Sequence, residues 1–91
     1  MGFSILKFRR SRTKNKKYDA IVLVENLQRQ VIPFGDTRKE HFYDGTGLNL
    51  YSHMNHRDET RRRKYLKANA KHIQVKLSPS YFTAKYLYSW H

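Results

Sequence analysis

The segment from Tyr51 to Leu66 concentrates the residue types that are most able to do chemistry. It reads YSHMNHRDETRRRKYL and contains two histidines, a His-Arg-Asp tripeptide and three arginines followed by a lysine. Residues of these types can serve phosphoryl transfer, bind a metal ion or contact a polyanion. Each function requires further residues elsewhere in the chain, so the surrounding sequence decides between them.

The tripeptide His56-Arg57-Asp58 matches the catalytic loop of protein kinases. A kinase also requires a glycine-rich loop over the phosphates, a strand lysine, a magnesium-binding aspartate and a downstream asparagine. This set is missing from the 91 residues. The seven acidic residues mostly stand where they cap a helix or pair with arginine, which disfavours hydrolysis. A small nuclease that uses His and Arg around phosphate is the remaining catalytic alternative, and we expect no enzyme.

The histidines are candidate metal ligands. His53 and His56 could bind zinc, with Asp58, His41 or His72 completing the coordination shell. Histidine pairs that bind metal from one helix usually stand four residues apart, whereas these stand three apart. The chain has no cysteine, which excludes disulfides and thiolate metal sites. We therefore expect neither a metal nor a cofactor.

The charge predicts a polyanionic partner. Nineteen Lys and Arg against seven Asp and Glu give a net charge of +12, which favours nucleic acid, an acidic protein surface or an anionic membrane. The predicted polyanion- or partner-binding residues are Lys7, Arg9, Arg10, Arg12, Lys14, Lys16, Lys17, Arg61, Arg62, Arg63, Lys64 and Lys67. Aromatic residues make up 14% of the chain and suit interfaces. The predicted interface aromatics are Tyr81, Phe82, Tyr86, Tyr88 and Trp90.

The elements that position these residues predict one small α+β domain. Residues 1–17 are basic without an acidic residue and predict an extended arm outside the domain. Residues 18–91 predict a domain made of an N-terminal β-hairpin and two helices. The hairpin spans Tyr18–Phe34 with its turn at Asn26, because β-branched residues flank that position. The polar, glycine-containing segment Asp36–Gly47 then predicts a surface loop.

The first predicted helix spans Asn55–His72. Asn55 is the expected cap, and the acids Asp58 and Glu59 fall in the first turn, where the helix dipole favours them. The pairs Asp58–Arg62 and Glu59–Arg63 have the i,i+4 spacing of helical ion pairs. The apolar face is thin, so the helix must lie on a surface of the hairpin or of a partner.

The C-terminal quarter predicts a short strand followed by an aromatic helix. Residues 73–77 alternate between apolar and polar types. Ser78 and Pro79 then form an N-cap with proline at the first helical position. The helix that follows is apolar over most of its circumference, so it is either the main core element or an exposed aromatic anchor.

Membrane insertion is not expected. The longest apolar stretch is Ala20–Val24, which is far too short to span a bilayer. The N-terminus resembles a signal peptide only superficially, because its apolar part is short and its cations follow rather than precede it. We therefore expect a soluble, intracellular protein at synthesis.

The order of several landmarks resembles a known family. The landmarks are Lys17-Tyr18-Asp19, Ile32-Pro33-Phe34-Gly35, Tyr51-Ser52, His56-x-Asp58-x-x-Arg61-x-x-Lys64-Tyr65, Ser78-Pro79 and Trp90. This pattern is similar to a family of small basic proteins of unknown function, encoded by giant (nucleocytoplasmic large) DNA viruses and some phages. The likeness covers residues 17–90, and the central histidine-to-tyrosine element is its most specific part.

The chain also departs from the family pattern. The loop from Gly35 to Tyr51 is longer, and the second basic stretch is reduced to Lys67-Ala68-Asn69-Ala70. The tail ends at His91, where the family often continues with a basic, proline-containing end. The family has no established catalytic residues, so none is transferred.

The resemblance implies an origin in a large double-stranded DNA virus. The expected function is that of a non-enzymatic minor capsid or cement protein, which bridges larger capsid subunits through its basic arm and aromatic tail. The alternative is a small basic protein that compacts or guides viral DNA. The expected partners are the major capsid protein, other minor capsid proteins and viral DNA, without a small-molecule substrate. The expected locations are the virion and, during assembly, the virus factory in the host cytoplasm.

Overall fold

A three-stranded antiparallel sheet followed by helices makes up the protein. The computed structural model describes residues 2–25 and 28–90. Its elements, in chain order, are β1 (Phe3–Arg10), β2 (Lys16–Val24), β3 (Arg29–Asp36), a single 3-10 turn (Ser52–Met54), α1 (Glu59–Ala68), α2 (Ala70–Ile73) and α3 (Pro79–Leu87). The strand order in the sheet is β1-β2-β3. The predicted α+β class is confirmed.

The predicted hairpin is formed by β2 and β3. Tyr18 pairs with Phe34 and Ala20 pairs with Ile32, and all four residues are buried. Because side chains alternate along a strand, these residues share one face of the sheet, which forms the core. The turn predicted at Asn26 lies outside the described residues.

The basic arm predicted for residues 1–17 differs from the structure, because Phe3–Arg10 form strand β1 and Lys16 begins β2. Phe8 pairs with Ala20 and Ile5 with Val22, so both place apolar side chains against the core. The register shifts between Ile5 and Lys7. Such a bulge inserts one residue and interrupts the two-residue alternation, which concealed the strand in the sequence.

Helix α3 supplies the other half of the core, which decides between the two predicted roles of the aromatic segment. Phe82 is fully buried, and its ring centroid lies 5.8 Å from that of Phe34. The predicted cap is confirmed, since the hydroxyl of Ser78 accepts a hydrogen bond of 3.1 Å from the backbone N–H of Tyr81 and Pro79 opens the helix. The segment is therefore mainly a core element.

Helix α1 is shorter than predicted at both ends. Its N-cap is Asp58, whose side chain accepts hydrogen bonds from the backbone N–H groups of Thr60 (2.9 Å) and Arg61 (3.2 Å). The predicted cap, Asn55, instead binds the loop before the helix through its side chain. The helix ends at Ala68 and is followed by the short helix α2.

The two ion pairs predicted along α1 have different outcomes. Glu59 and Arg63 form the predicted i,i+4 pair at 3.4 Å. Arg62 pairs with Glu59 at 2.9 Å, so the pair predicted with Asp58 is wrong. The carboxylate of Asp58 is oriented toward the backbone N–H groups that it caps, which explains the difference.

The strand predicted for residues 73–77 is wrong. Ile73 is the buried last residue of α2. Leu77 adopts a φ of +68°, which belongs to the left-handed region and is incompatible with a strand. The alternation of the sequence here reflects one buried position followed by a turn.

The segment between β3 and the 3-10 turn has the irregular structure predicted for a loop. An isolated bridge between His41 and Asn55 closes it at its base. Backbone N–H groups of Phe42 and Tyr43 both donate to the carbonyl of Leu87, at 3.0 and 3.1 Å. The loop is therefore fixed to the C-terminus of α3.

Candidate nucleic-acid interface

Two buried residues, Tyr18 and Asp44, hold the loop between β3 and the 3-10 turn against the central strand of the sheet. We call this loop, residues 37–51, the long loop. The hydroxyl of Tyr18 donates to the carboxylate of Asp44 and accepts a hydrogen bond of 3.0 Å from the backbone N–H of Leu50. Burial, together with the negative charge of Asp44, raises the pKa of Tyr18 to about 12. Although burial opposes ionisation of Asp44, hydrogen bonds from Tyr18 and Thr46 keep the pKa of this carboxyl below its usual range.

A second buried group consists of Lys17, His41 and Asn55. Nζ of Lys17 donates to the backbone carbonyl of Lys39 at 2.7 Å and lies 2.6 Å from Nδ1 of His41. Nε2 of His41 lies 2.6 Å from Oδ1 of Asn55, which also accepts from the backbone N–H of Asp44 at 2.9 Å. Because Nδ1 accepts from an ammonium group and Nε2 donates to an amide oxygen, this geometry requires a neutral imidazole.

Burial changes the acid–base properties of this group. It lowers the pKa of Lys17 to about 8, although the charges of Asp36, Asp44 and Glu40 act in the opposite direction. Burial, together with the charge of Lys17, lowers the pKa of His41 to about 4. At neutral pH the pair therefore consists of a charged lysine and a neutral histidine.

Lys17 was predicted to contact a polyanion from the surface, and the structure corrects this prediction. The residue is 1% exposed, because its side chain lies beneath the long loop. Within residues 2–25 and 28–90, it forms no ion pair with a carboxylate. The sequence offered no signal for this group, since Lys17, His41 and Asn55 are distant along the chain and fit no spacing motif.

A groove with a volume of about 260 Å³ lies between the end of β3, helix α1 and helix α3. Three cations line it, namely Lys16, Lys17 and Lys39, together with the acids Asp36 and Glu40. It extends beside α3 from Pro79, the first residue of the helix, to Leu87, the last, which corresponds to about 13 Å of helix.

The acids of the groove are already paired with arginines. Asp36 binds Arg38 at 3.0 Å, and Glu40 binds Arg61 at 3.0 Å. Hydrogen bonds from Arg38 lower the pKa of Asp36 to about 2, so this carboxylate stays ionised. The three lysines are therefore an excess of positive charge that the acids lining the groove do not balance.

Two tyrosines form part of the groove wall. The rings of Tyr65 and Tyr88 stack with centroids 3.8 Å apart and planes 6° apart. Burial raises the pKa of Tyr65 to about 12 and also raises that of Tyr88, so both hydroxyls remain protonated at neutral pH. The wall thus combines an aromatic surface with groups able to donate hydrogen bonds.

Two further predicted cations have structural roles. Arg9 pairs with the buried Asp19 at 3.0 Å across β1 and β2. Arg62 donates to the backbone carbonyls of Tyr88 (2.7 Å) and Ser89 (2.9 Å), which satisfies acceptors at the end of α3. Both arginines are therefore engaged within the protein and are not available to bind a partner.

The other predicted cations lie at the surface in two groups. The first lies at the turn between β1 and β2, and the backbone carbonyl of Asn15 in this turn accepts from the N–H of Thr37 at 3.1 Å. This bond places the turn beside the segment that follows β3 and carries Lys39. We call the resulting surface the basic end; it consists of Arg10, Arg12, Lys14, Lys16 and Lys39. None of these five forms an ion pair within the described part of the chain.

The second group lies on α1, and Lys7 is a separate exposed cation on β1. Arg61 and Arg63 each bind a glutamate, whereas Lys64 and Lys67 are exposed and form no ion pair in the part that the structure describes. The run of basic residues in the sequence is thus divided: Arg62 faces inward and the others face solvent.

The aromatic residues predicted to form an interface are mostly part of the core. Tyr81 and Phe82 are buried, and Tyr86, Tyr88 and Trp90 are half-buried. The rings of Trp90 and Tyr81 meet edge to face at 6.2 Å. A chain of this size needs such large side chains to fill its core, which explains why they are not displayed on the surface.

The histidines do not assemble a metal site in the described residues. No group of three His, Cys, Asp or Glu side chains there is placed to hold a metal ion. Nδ1 of His56 instead accepts a hydrogen bond of 2.9 Å from the backbone N–H of Asp58, just before α1. Among the described helices, none has the length and hydropathy needed to cross a bilayer.

Comparison of the chain with protein-family models, with curated proteins and with solved structures gives no match in any of the three. The likeness to small basic viral proteins therefore stays a prediction from the residue pattern.

Proposed function

We propose that this protein is a non-enzymatic nucleic-acid-binding protein whose basic end contacts the phosphate backbone. The observation that carries this proposal is the collection of five cations at one end of the sheet, none of which forms an ion pair with any acid that the structure describes. Cations that pair with phosphates release condensed counterions, which supplies affinity without reading the base sequence.

The turn that carries Arg12 and Lys14 suits contact with a phosphate backbone. Both side chains are exposed, and the turn is held at its base by the bond from Ser11 N–H to the Lys17 carbonyl, 3.0 Å. Arg10, beside the turn, lies with its guanidinium 5.4 Å from the ring centroid of Tyr51. A fixed turn with exposed cationic side chains can contact a regular array of phosphates at little cost in backbone entropy.

The salt dependence of binding tests this proposal. Binding of a short fluorescent duplex is measured by anisotropy at several salt concentrations. With about five phosphates neutralised, the slope of log K against log salt should be about −4.5. An affinity that is independent of salt, or no binding at low salt, would overturn the proposal.

A second candidate is the capsid-associated role that the viral resemblance implies. One observation favours a protein partner: Leu6 and Val31 on the sheet are each 46% exposed. The arm and the aromatic tail that the sequence suggested as anchors are part of the fold, so a capsid subunit would have to cover this sheet surface instead. Cryo-EM of the virion tests this role: density for the protein on the inner capsid lattice supports it, and absence of density there contradicts it.

A further inference from the structure

We propose that the groove beside Lys17 binds a terminal phosphate of a nucleic-acid strand, an inference that rests on the proposed function. The basic end would hold the internal phosphates of the strand, and the groove would receive its end. Lys16 and Lys39 belong to both surfaces, so the groove continues directly from the basic end.

The charge balance of the groove favours a dianionic group. Its acids, Asp36 and Glu40, are each paired with an arginine. Within residues 2–25 and 28–90, no carboxylate forms an ion pair with Lys16, Lys17 or Lys39. A terminal phosphate monoester carries a charge of about −1.5 to −2 at neutral pH, as a phosphorylated side chain does, and internal diesters carry one each. The end of a phosphorylated strand therefore matches the excess charge better than its interior does.

The burial of the Lys17 ammonium gives an electrostatic reason for an anion to bind in the groove. Its hydrogen-bond partners, the Lys39 carbonyl and the ring of His41, are both neutral. A buried cation without a countercharge is costly, and charges interact strongly where water is excluded. Asp36, Asp44 and Glu40 act on Lys17 by charge, but none of them forms an ion pair with it in the described residues. An anion in the groove would add to this countercharge without having to contact Nζ directly.

The dimensions of the groove suit the last nucleotide of a strand. Its volume of about 260 Å³ and its length of about 13 Å accommodate one nucleotide rather than a long segment. The stacked rings of Tyr65 and Tyr88 offer an apolar wall for the nucleoside, and the protonated hydroxyl of Tyr65 can donate a hydrogen bond. Aromatic walls of this kind accept any base.

The test compares single strands of one sequence that carry a phosphate at the 5′ end, at the 3′ end or at neither end. We expect a phosphate at one of the two ends to raise the affinity of the wild-type protein by about tenfold, which is about 1.4 kcal/mol. The double variant Lys16→Gln/Lys39→Gln should lose this enhancement. Equal affinity for all three strands would overturn the inference, as would an enhancement that persists in the variant.

A matched control removes the same charge from the opposite end of the sheet. Arg29 begins β3, and Lys76 lies beside Val24 and Gln28, so the variant Arg29→Gln/Lys76→Gln alters neither the groove nor the basic end. This variant should retain the tenfold enhancement. An equal loss in both variants would contradict a specific role for the groove.

A titration with a free mononucleotide separates this inference from the proposed function. NMR shifts of the groove residues Asn69, Ser80 and Thr83 on addition of adenosine monophosphate would support the groove as the phosphate site. Salt-dependent strand binding without any terminal effect would overturn the inference and leave the proposed function standing. Mononucleotide binding without strand binding would overturn the proposed function and the strand part of the inference.

Discussion

The ammonium of Lys17 lies 2.6 Å from Nδ1 of His41, and both side chains are 1% exposed. Only a neutral imidazole can accept a hydrogen bond from a charged ammonium, so protonation of His41 would place two cations in contact. This pair connects the long loop to β2 and makes the stability of the fold depend on pH.

Acidification should destabilise the protein through His41. Its pKa is about 4 in the folded state and about 6.5 in the unfolded chain. Between these values the unfolded state binds more protons, so the contribution of His41 to stability is fully present above about pH 6.5 and is lost as the pH drops toward 4. The expected loss is about 3 kcal/mol, measured by urea unfolding.

The variant His41→Gln isolates this contribution. Glutamine does not titrate but offers a donor and an acceptor, so the curve of stability against pH should flatten between pH 4 and 6.5. An unchanged curve would assign the acid sensitivity to other groups.

Lys17 should extend the same trend, a stability that rises with pH, into the alkaline range. Its pKa is about 8 when folded and 10.5 when unfolded, so the unfolded state binds more protons between these values and stability rises with pH. Above about pH 10 the trend reverses, because Tyr18 and Tyr65 keep their protons up to about pH 12 only when folded. Melting temperatures should therefore rise from pH 8 to 10 in the wild type and not in Lys17→Met. A wild-type melting temperature that falls over this range would disprove the expectation.

Removal of the Tyr18 hydroxyl should be costly. Tyr18→Phe leaves the carboxylate of Asp44 and the N–H of Leu50 without their buried partner, which should cost about 1–3 kcal/mol. Tyr51→Phe is the matched control, because its hydroxyl accepts an exposed hydrogen bond from Arg10, and it should cost less than about 0.5 kcal/mol. Equal losses in chemical denaturation would rule out the anchoring role of Tyr18.

Gly35 should tolerate no side chain. Its φ is +79°, and a Cβ there would lie 2.9 Å from Cδ1 of Leu87 and 3.1 Å from Cβ of Lys17. Gly35→Ala should therefore combine about 1 kcal/mol of backbone strain with a further 1–3 kcal/mol of overpacking. Gly47 has a similar φ of +85° with open space around it, so Gly47→Ala should cost only the strain. Identical thermal shifts of the two variants would refute the close contact.

Elements with an uninterrupted pattern were predictable from the sequence. The β2–β3 hairpin, the Ser78 cap and the Glu59–Arg63 pair all follow local rules, and the structure contains each of them. Strand β1 was not recognised because a bulge at its centre breaks the alternation and its charges suggested disorder.

The candidate site was less predictable than the fold. The exposure of Arg12 and Lys14 could be predicted from their charge alone. The burial of Lys17 and the inward orientation of Arg62 could not, because they depend on tertiary contacts. The groove arises between three elements that are distant in sequence, so no local pattern encodes it.

The most direct test of nucleic-acid binding compares two variants that each lose two charges. Arg12→Gln/Lys14→Gln removes cations from the basic end, and Arg29→Gln/Lys76→Gln removes them from the opposite end of the sheet. If the basic end binds phosphates, the first variant should reduce the slope of log K against log salt for a DNA duplex by about 2, and the second should leave it unchanged. Equal slopes for both variants and the wild type would contradict the proposed function.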